Sequence, residues 1–354
     1  MFYSTDDERI AGYRPLLSPA ILMEELALTE QASNTVASAR AACEAIVRGE
    51  DDRLLVVAGP CSIHDPKSAL EYADHLQSLM HELADDLLII MRVYFEKPRT
   101  TIGWKGLIND PHLDGTFDIN NGLRAARRLL LELANRGIPA GSEFLDVITP
   151  QFIADLIAWG AIGARTTESQ IHRELASGSS MPIGFKNGTD GSVQIAIDAI
   201  GAAQHPHHFL SVTKQSIAAI VSTAGNDTCH LILRGSNRGP NYDAAAIAEA
   251  AQALRDAGLR ERLMVDCSHG NSRKDHKRQP EVAASLCEQL AAGSHNICGV
   301  MLESHLKEGK QNHADATPLV YGQSITDACM SWEMTAPVLR DLAAAVRARR
   351  SRSA

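Results

Sequence analysis

Short apolar and β-branched runs recur along the chain, each bounded by Gly, Pro, Asn or Asp and each followed by a longer stretch with helical spacing. The runs fall at residues 54–62, 87–95, 139–144, 161–166, 182–186, 230–235, 263–269 and 297–304. They are almost continuously apolar, which is the pattern of strands buried on both faces rather than of strands with one wet face. The intervening stretches predict helices over 66–84, 119–135, 150–159, 169–176, 193–203, 243–257, 280–292 and 327–349. Asp65-Pro66 supplies an N-cap followed by a first-turn proline, and Gly137 stops the second helix. Eight strands alternating with eight helices predict an α/β fold, a closed parallel (β/α)8 barrel of the TIM type.

Two segments stand outside the alternation. Residues 1–50 precede the first strand, with a helical stretch over 29–49 that ends at a glycine. They read as an N-terminal extension for oligomerisation or regulation, leaving 51–354 as the barrel. Two apolar stretches around Lys214-Gln215, at about 209–223, predict a β-hairpin inserted before the sixth strand.

Composition narrows the function classes. Net charge is −9, a poor match for nucleic-acid binding, and no apolar run reaches the roughly 18 residues that span a bilayer. The acidic start (Asp6, Asp7, Glu8) lacks the basic and apolar regions of a signal peptide, and the seven cysteines include no Cys-x-x-Cys pair. A cytoplasmic protein with reduced thiols is expected. The basic run Arg347–Arg352 reads as a frayed, solvated tail.

Barrel active sites lie at the C-terminal ends of the strands. Here each predicted strand delivers an ionisable or metal-binding group at that end: Cys61, Arg92 with Lys97, Glu143, Arg165, Lys186, Arg234, His269 and Glu303. Such groups cost desolvation in a core strand, and their recurrence at equivalent positions argues for a site rather than packing. Five cations aimed at one mouth of an acidic protein call for a multiply anionic ligand, above all phosphate. Cys61, His269 and Glu303, with Asp327 in the loop after the eighth strand, form a mixed S/N/O set suited to one Mn²⁺, Fe²⁺, Co²⁺ or Zn²⁺ ion.

These residues sit in long strings: Ala58-Gly59-Pro60-Cys61-Ser62-Ile63-His64-Asp65, Lys97-Pro98-Arg99-Thr100-Thr101, Ala164-Arg165-Thr166-Thr167-Glu168, Gly184-Phe185-Lys186-Asn187-Gly188-Thr189-Asp190-Gly191, Asp266-Cys267-Ser268-His269-Gly270-Asn271-Ser272 and Glu303-Ser304-His305. On them the chain resembles type I DAHP synthases over nearly its whole length. The resemblance implies condensation of phosphoenolpyruvate with erythrose 4-phosphate to DAHP and phosphate, the entry step of aromatic amino-acid synthesis. It implies a divalent metal on Cys61, His269, Glu303 and Asp327. It places phosphoenolpyruvate on Arg92, Ala164, Arg165, Lys186 and Arg234 with Lys97 nearby, and erythrose 4-phosphate on the loop carrying Arg99 and Thr100. Catalytic roles fall to Lys97 as proton donor, Glu143 as water-positioning group, Lys186 and His269.

The family comes in forms inhibited by phenylalanine, tyrosine or tryptophan, and this chain is most similar to the phenylalanine-sensitive form. The implied effector pocket involves Asp6, Asp7, Pro150, Gln151, Ser180, Phe209, Ser211 and Val221, completed by a neighbour's N-terminal segment in a homodimer or homotetramer. Two departures stand out: Ser179 where Leu is usual, and Gly235-Ser236-Asn237-Arg238 where Gly-Gly-Lys follows the arginine. Cys61 and Cys329 are expected to be close enough to oxidise together when metal is absent. Competing readings are a synthase using arabinose 5-phosphate, a metal-dependent phosphohydrolase, and a catalytically dead homologue that only binds aromatic amino acids. The last would require loss of a ligand or an anchoring cation, and none is lost.

Overall fold

The computed structural model describes residues 3, 5–99, 102–313 and 318–353. In chain order the elements are α1 (Pro19–Glu25), α2 (Glu30–Arg48), β1 (Leu54–Gly59), α3 (Pro66–Glu82), β2 (Leu87–Arg92), α4 (Ile119–Asn135), β3 (Ala140–Glu143), α5 (Pro150–Ile153), β4 (Ile157–Ile162), α6 (Gln170–Ser177), β5 (Ile183–Lys186), α7 (Gln194–Ala203), β6 (His208–Val212), β7 (Ala218–Ser222), β8 (His230–Leu233), α8 (Ala244–Asp256), β9 (Leu263–Asp266), α9 (Gln279–Ala291), β10 (Ile297–Glu303) and α10 (Trp332–Ser353). Eight strands close a parallel barrel in the order β1-β10-β9-β8-β5-β4-β3-β2, while β6 and β7 form a separate antiparallel hairpin.

The period-2 alternation of each strand divides its side chains between two cores. In β1, Leu54, Val56 and Ala58 face the helical layer, whereas Leu55 and Val57 join Ile90, Trp159, Ile232, Met264 and Met301 inside the barrel. The interior core also takes Ala39, Cys43 and Ile46 from α2. That helix is capped by Thr29 Oγ1, which accepts from the Ala32 amide, and it ends at left-handed Gly49. Its Arg40 donates to the Ile157 carbonyl at 2.9 Å, tying the helix to the start of β4. The segment before the first strand thus supplies part of the barrel's own core.

Three expectations are corrected. The helix read over 150–159 stops at Ile153; a 3-10 turn at Ala154–Leu156 follows, and Ile157–Ile162 is β4, four residues earlier than the strand read from the sequence. The run Ile157-Ala158-Trp159-Gly160-Ala161-Ile162 is apolar throughout, so its period does not separate helix from strand, and tertiary pairing with β3 and β5 decides. The short α1, capped by Ser18 and opened by Pro19, was not anticipated. The basic tail is not frayed: α10 runs to Ser353, Arg349 is buried, and Arg350 reaches Asp52 at 2.6 Å and Asp86 at 2.7 Å.

Candidate active site

The strand ends converge on one mouth. Cys61 follows β1, Lys97 follows β2, and Glu303 is the last residue of β10. Asp327 lies in the loop before α10. One donor atom from each of Cys61, Glu303 and Asp327 lies within 4.8 Å of the other two, the one such group among the described residues. Cys61 Sγ is 3.6 Å from Asp327 Oδ2. His269 stands beside them, its Nε2 3.8 Å from Glu303 Oε1. Soft sulfur, imidazole and two carboxylates at this spacing fit a divalent first-row metal ion.

The backbone around these donors is shaped for them. His269 adopts a left-handed φ of 55°, uncommon for a residue with a Cβ, at the start of a loop in which Arg273 and Lys274 do the same. Asp266, at the end of β9, orients the ring: its Oδ2 lies 2.9 Å from His269 Nδ1 and its Oδ1 accepts from the Ser268 amide and hydroxyl. A carboxylate behind a ligating imidazole fixes ring orientation and tautomer. Gln279 holds Glu303 through its backbone, its side-chain amide bonding both the amide and the carbonyl of that residue.

The cations interlock with the donors. Lys97 Nζ lies 3.2 Å from Cys61 Sγ and donates to the Cys61 carbonyl. Arg92 is fully buried; it donates to the Pro60 and Cys61 carbonyls and pairs with Glu303 Oε1 at 3.0 Å, with the Tyr94 ring 3.5 Å from its guanidinium carbon. Lys186 Nζ pairs with Asp266 Oδ2 at 2.8 Å. Burial pushes the Cys61 thiol up to about 11, with Glu303 adding to it and Lys97 opposing. Burial would pull Lys97 down, but the sulfur and Glu303 outweigh it and hold the ammonium above its ordinary value. Burial would likewise raise the Asp266 carboxyl, yet Lys186 and His269 hold it well below the usual carboxylate range.

Above this floor opens a cavity of about 530 Å³, lined among others by Arg165, Arg234, His269, Glu303, Lys310 and Asp327. Arg234 is buried, and exposed Arg165 donates to the Pro98 carbonyl at 3.4 Å; neither has an ion pair among the described residues. Glu143 is buried, and a Cβ on Gly163 would come within 2.1 Å of its Oε1. Ala164 is half-buried beside Arg165. Arg99 is exposed, its Nε donating to the Trp104 carbonyl at 2.8 Å, and Thr100 lies outside the described residues.

The model of the DAHP synthetase I family matches residues 26–340. The chain belongs to this family. It is 60% identical over 99% of its length to the whole of the Escherichia coli strain K12 phospho-2-dehydro-3-deoxyheptonate aldolase named Phe-sensitive. It is 56% identical over 98% of its length to 94% of a Schizosaccharomyces pombe aldolase of the same name described as tyrosine-inhibited. A solved structure of the corresponding aldolase from Francisella tularensis superposes with a TM-score of 0.95 at 52% identity, covering 96% of this chain and 99% of that one. The barrel and its hairpin are therefore those of a DAHP synthetase I family enzyme.

In this family member the hairpin covers a second cavity, of about 370 Å³, lined by Val147, Gln151, Ser179, Phe209, Ser211 and Val221 among others. Ser211 Oγ donates to the Val147 carbonyl at 3.0 Å, and Lys214 Nζ bonds the Gln151 carbonyl. Of the effector residues read from the sequence, Gln151, Phe209, Ser211 and Val221 meet here. Pro150 is buried at the start of α5 and Ser180 is exposed, neither among the lining residues. Asp6 and Asp7 are exposed on the N-terminal segment, where Asp7 accepts from the Tyr13 hydroxyl. Asp266 and Gln279 were not singled out as site residues from the sequence. The signal for Asp266 was present, a carboxylate three residues before a histidine read as a metal ligand; Gln279, on a helix remote in sequence, offered none.

Proposed function

We propose that this chain condenses phosphoenolpyruvate with erythrose 4-phosphate to give DAHP and inorganic phosphate, the first committed step toward aromatic amino acids. The observation that carries the reading is the interlock at one mouth of the two groups such a reaction needs: Lys97 sits 3.2 Å from Cys61 Sγ, so a cation and the metal-ligand cluster share one floor.

Cys61, His269, Glu303 and Asp327 hold the divalent ion, which when bound supplies a Lewis acid for the aldehyde oxygen. Lys186, Lys97 and the buried charge of Arg92 face the phosphoenolpyruvate carboxylate. Arg165 and Arg234, which have no ion pair among the described residues, take its phosphate, with the Ala164 backbone beside them. Arg99 and Thr100 take the phosphate of the aldose. C3 of phosphoenolpyruvate bonds to the aldehyde carbon, and Lys97, kept charged by its neighbours, gives a proton to the oxygen that becomes a hydroxyl. Glu143 orients the water that adds at C2, and Arg165, Lys186 and Arg234 carry the charge of the phosphate that leaves. The family's names for relatives make an aromatic amino acid the effector, and the cavity under the hairpin fits phenylalanine, with a homodimer or homotetramer completing it from a neighbour's N-terminus. The protein acts in the cytoplasm; no helix among the described residues is long and apolar enough to cross a membrane.

The test is turnover of phosphoenolpyruvate and erythrose 4-phosphate by purified protein with Mn²⁺, with and without EDTA, and with each aromatic amino acid added separately. Activity abolished by EDTA and inhibited chiefly by phenylalanine is expected. Absence of activity with metal present refutes the reaction; inhibition by tyrosine or tryptophan alone refutes the effector.

A further inference from the structure

Beside the reaction cavity, and sharing the cations Arg234 and Lys274 with it, lies a second hollow of about 490 Å³ built from the loops after β8 and β9. Its lining includes Arg234, Arg238, Arg273 and Lys274 and no carboxylate. This is unusual in a chain of net charge −9 whose surface arginines elsewhere are largely paired: Arg124 with Glu25, Arg255 with Glu261, Arg340 with Glu82. None of the four hollow-lining cations has a side-chain hydrogen bond or ion pair among the described residues. Uncompensated cations gathered in a concave site are an anion receptor.

The hollow is also constructed. The two loops touch backbone to backbone, because a Cβ on Gly235 would lie 2.4 Å from the Asn271 amide and one on Gly270 would lie 2.4 Å from the Ser236 amide. Ser236, one of the residues that departs from the family's usual string, closes the first loop: its Oγ accepts from the Arg238 amide at 3.0 Å and the Gly239 amide at 3.2 Å. This turn sets Arg238 on one rim. On the other rim Arg273 and Lys274 take consecutive left-handed conformations, and Lys274 is held by its amide on the His269 carbonyl at 2.7 Å.

We propose that Arg238, Arg273 and Lys274 together with Arg234 form a second phosphate site, which receives the inorganic phosphate released by the reaction and passes it to solvent. The inference rests on the proposed condensation, since that is what supplies a phosphate dianion next to Arg234. Arg234 is the buried member and lines both hollows, so a departing phosphate can exchange one set of cations for the next without losing its guanidinium contact. Arg238, Arg273 and Lys274 are exposed, as an exit requires, and Lys274 bridges the two hollows alongside Arg234.

The test uses the metal-loaded enzyme saturated with phosphoenolpyruvate and no aldose, titrated with inorganic phosphate in a calorimeter, alongside the variant Arg238→Gln/Arg273→Gln/Lys274→Gln. Phosphate is expected to bind the wild type with phosphoenolpyruvate in place. In the variant its Kd should rise at least about tenfold, while the Kd for phosphoenolpyruvate moves by less than about threefold. Steady-state assays should show weakened product inhibition by phosphate with KM for erythrose 4-phosphate retained. Phosphate binding that is absent from the wild type or unchanged in the variant overturns the proposal. So does a large rise in KM for erythrose 4-phosphate, which would assign the hollow to the phosphate of the aldose. Failure of phosphoenolpyruvate to bind at all would instead refute the condensation reading.

Discussion

Lys186 Nζ and Asp266 Oδ2 meet at 2.8 Å in the buried floor of the barrel, and the same oxygen faces His269 Nδ1. One carboxylate thus faces both the imidazole proposed as a metal ligand and the ammonium proposed to meet the substrate. Replacing Asp266 by Asn removes the charge that both depend on. Metal affinity should fall about 10- to 100-fold, as for other carboxylates behind ligating histidines. The stranded Lys186 charge should also lower the melting temperature. Metal titration in chelator buffers and thermal unfolding check this; an unchanged metal affinity would dismiss the orienting role.

Gly163 reserves the space into which Glu143 reaches. A methyl there would sit 2.1 Å from Glu143 Oε1, so Gly163→Ala must displace the carboxylate. The expected outcome is a kcat lowered about 10-fold or more, with KM for phosphoenolpyruvate little changed and the fold intact by circular dichroism. A variant of normal kcat would mean that Glu143 does not orient the attacking water.

Glu96, beside Lys97, is buried, and its carboxyl is pushed up to about 8 by burial and by the nearby charges of Asp146 and Glu143. The folded value lies above that of the unfolded chain, so the protonated form is the one the fold favours. Its contribution is complete below pH about 4.3 and is lost as pH rises toward 8. Glu96→Gln imitates the protonated form permanently. Its melting temperature should match the wild type at about pH 4 and exceed it increasingly up to about pH 8. A difference independent of pH would contradict the assignment.

The Cys61 amide points at Cys329 Sγ at 3.4 Å, and both thiols are free. On the proposed metal site a bound ion would engage the Cys61 sulfur, leaving it free to react with the neighbouring Cys329 only when the metal is removed. Mild oxidation of metal-stripped enzyme should remove two titratable thiols together with activity, and a reductant followed by Mn²⁺ should restore both. Metal-loaded enzyme should keep its full thiol count, and Cys329→Ser should be resistant even when stripped. Loss of thiols at equal rate in both forms would show that the pair is not involved.

Much of this architecture can be read from residues alone, because strands buried on both faces are apolar throughout and their ends are where the polarity returns. Cys61 and Glu303 were legible for that reason, since desolvation makes a polar strand end informative; Asp327, in the loop before α10, carried no such strand-end signal. β4 was placed too late because Ile157–Ile162 has no periodicity to separate it from the short helix that Pro150 begins. Arg347 to Arg352 looked like a solvated run because the carboxylates that bind it, Asp52 and Asp86, precede β1 and β2 and lie far away in sequence. The receptor hollow beside Arg234 was hidden because Arg238, Arg273 and Lys274 are ordinary surface cations until two loops are joined through Gly235 and Gly270.

The seam of the barrel joins β1 to β10, so the earliest strand acquires its second neighbour only when the latest one is in place. During synthesis on the ribosome β1 must wait with one open edge, and Leu55 and Val57 must wait for the Met264 and Met301 side chains that complete their layer. An open apolar strand edge invites pairing with other chains. A nascent chain arrested before β10 should consequently aggregate or bind chaperones, and tolerance of this protein to premature termination should end abruptly rather than fade with each residue removed.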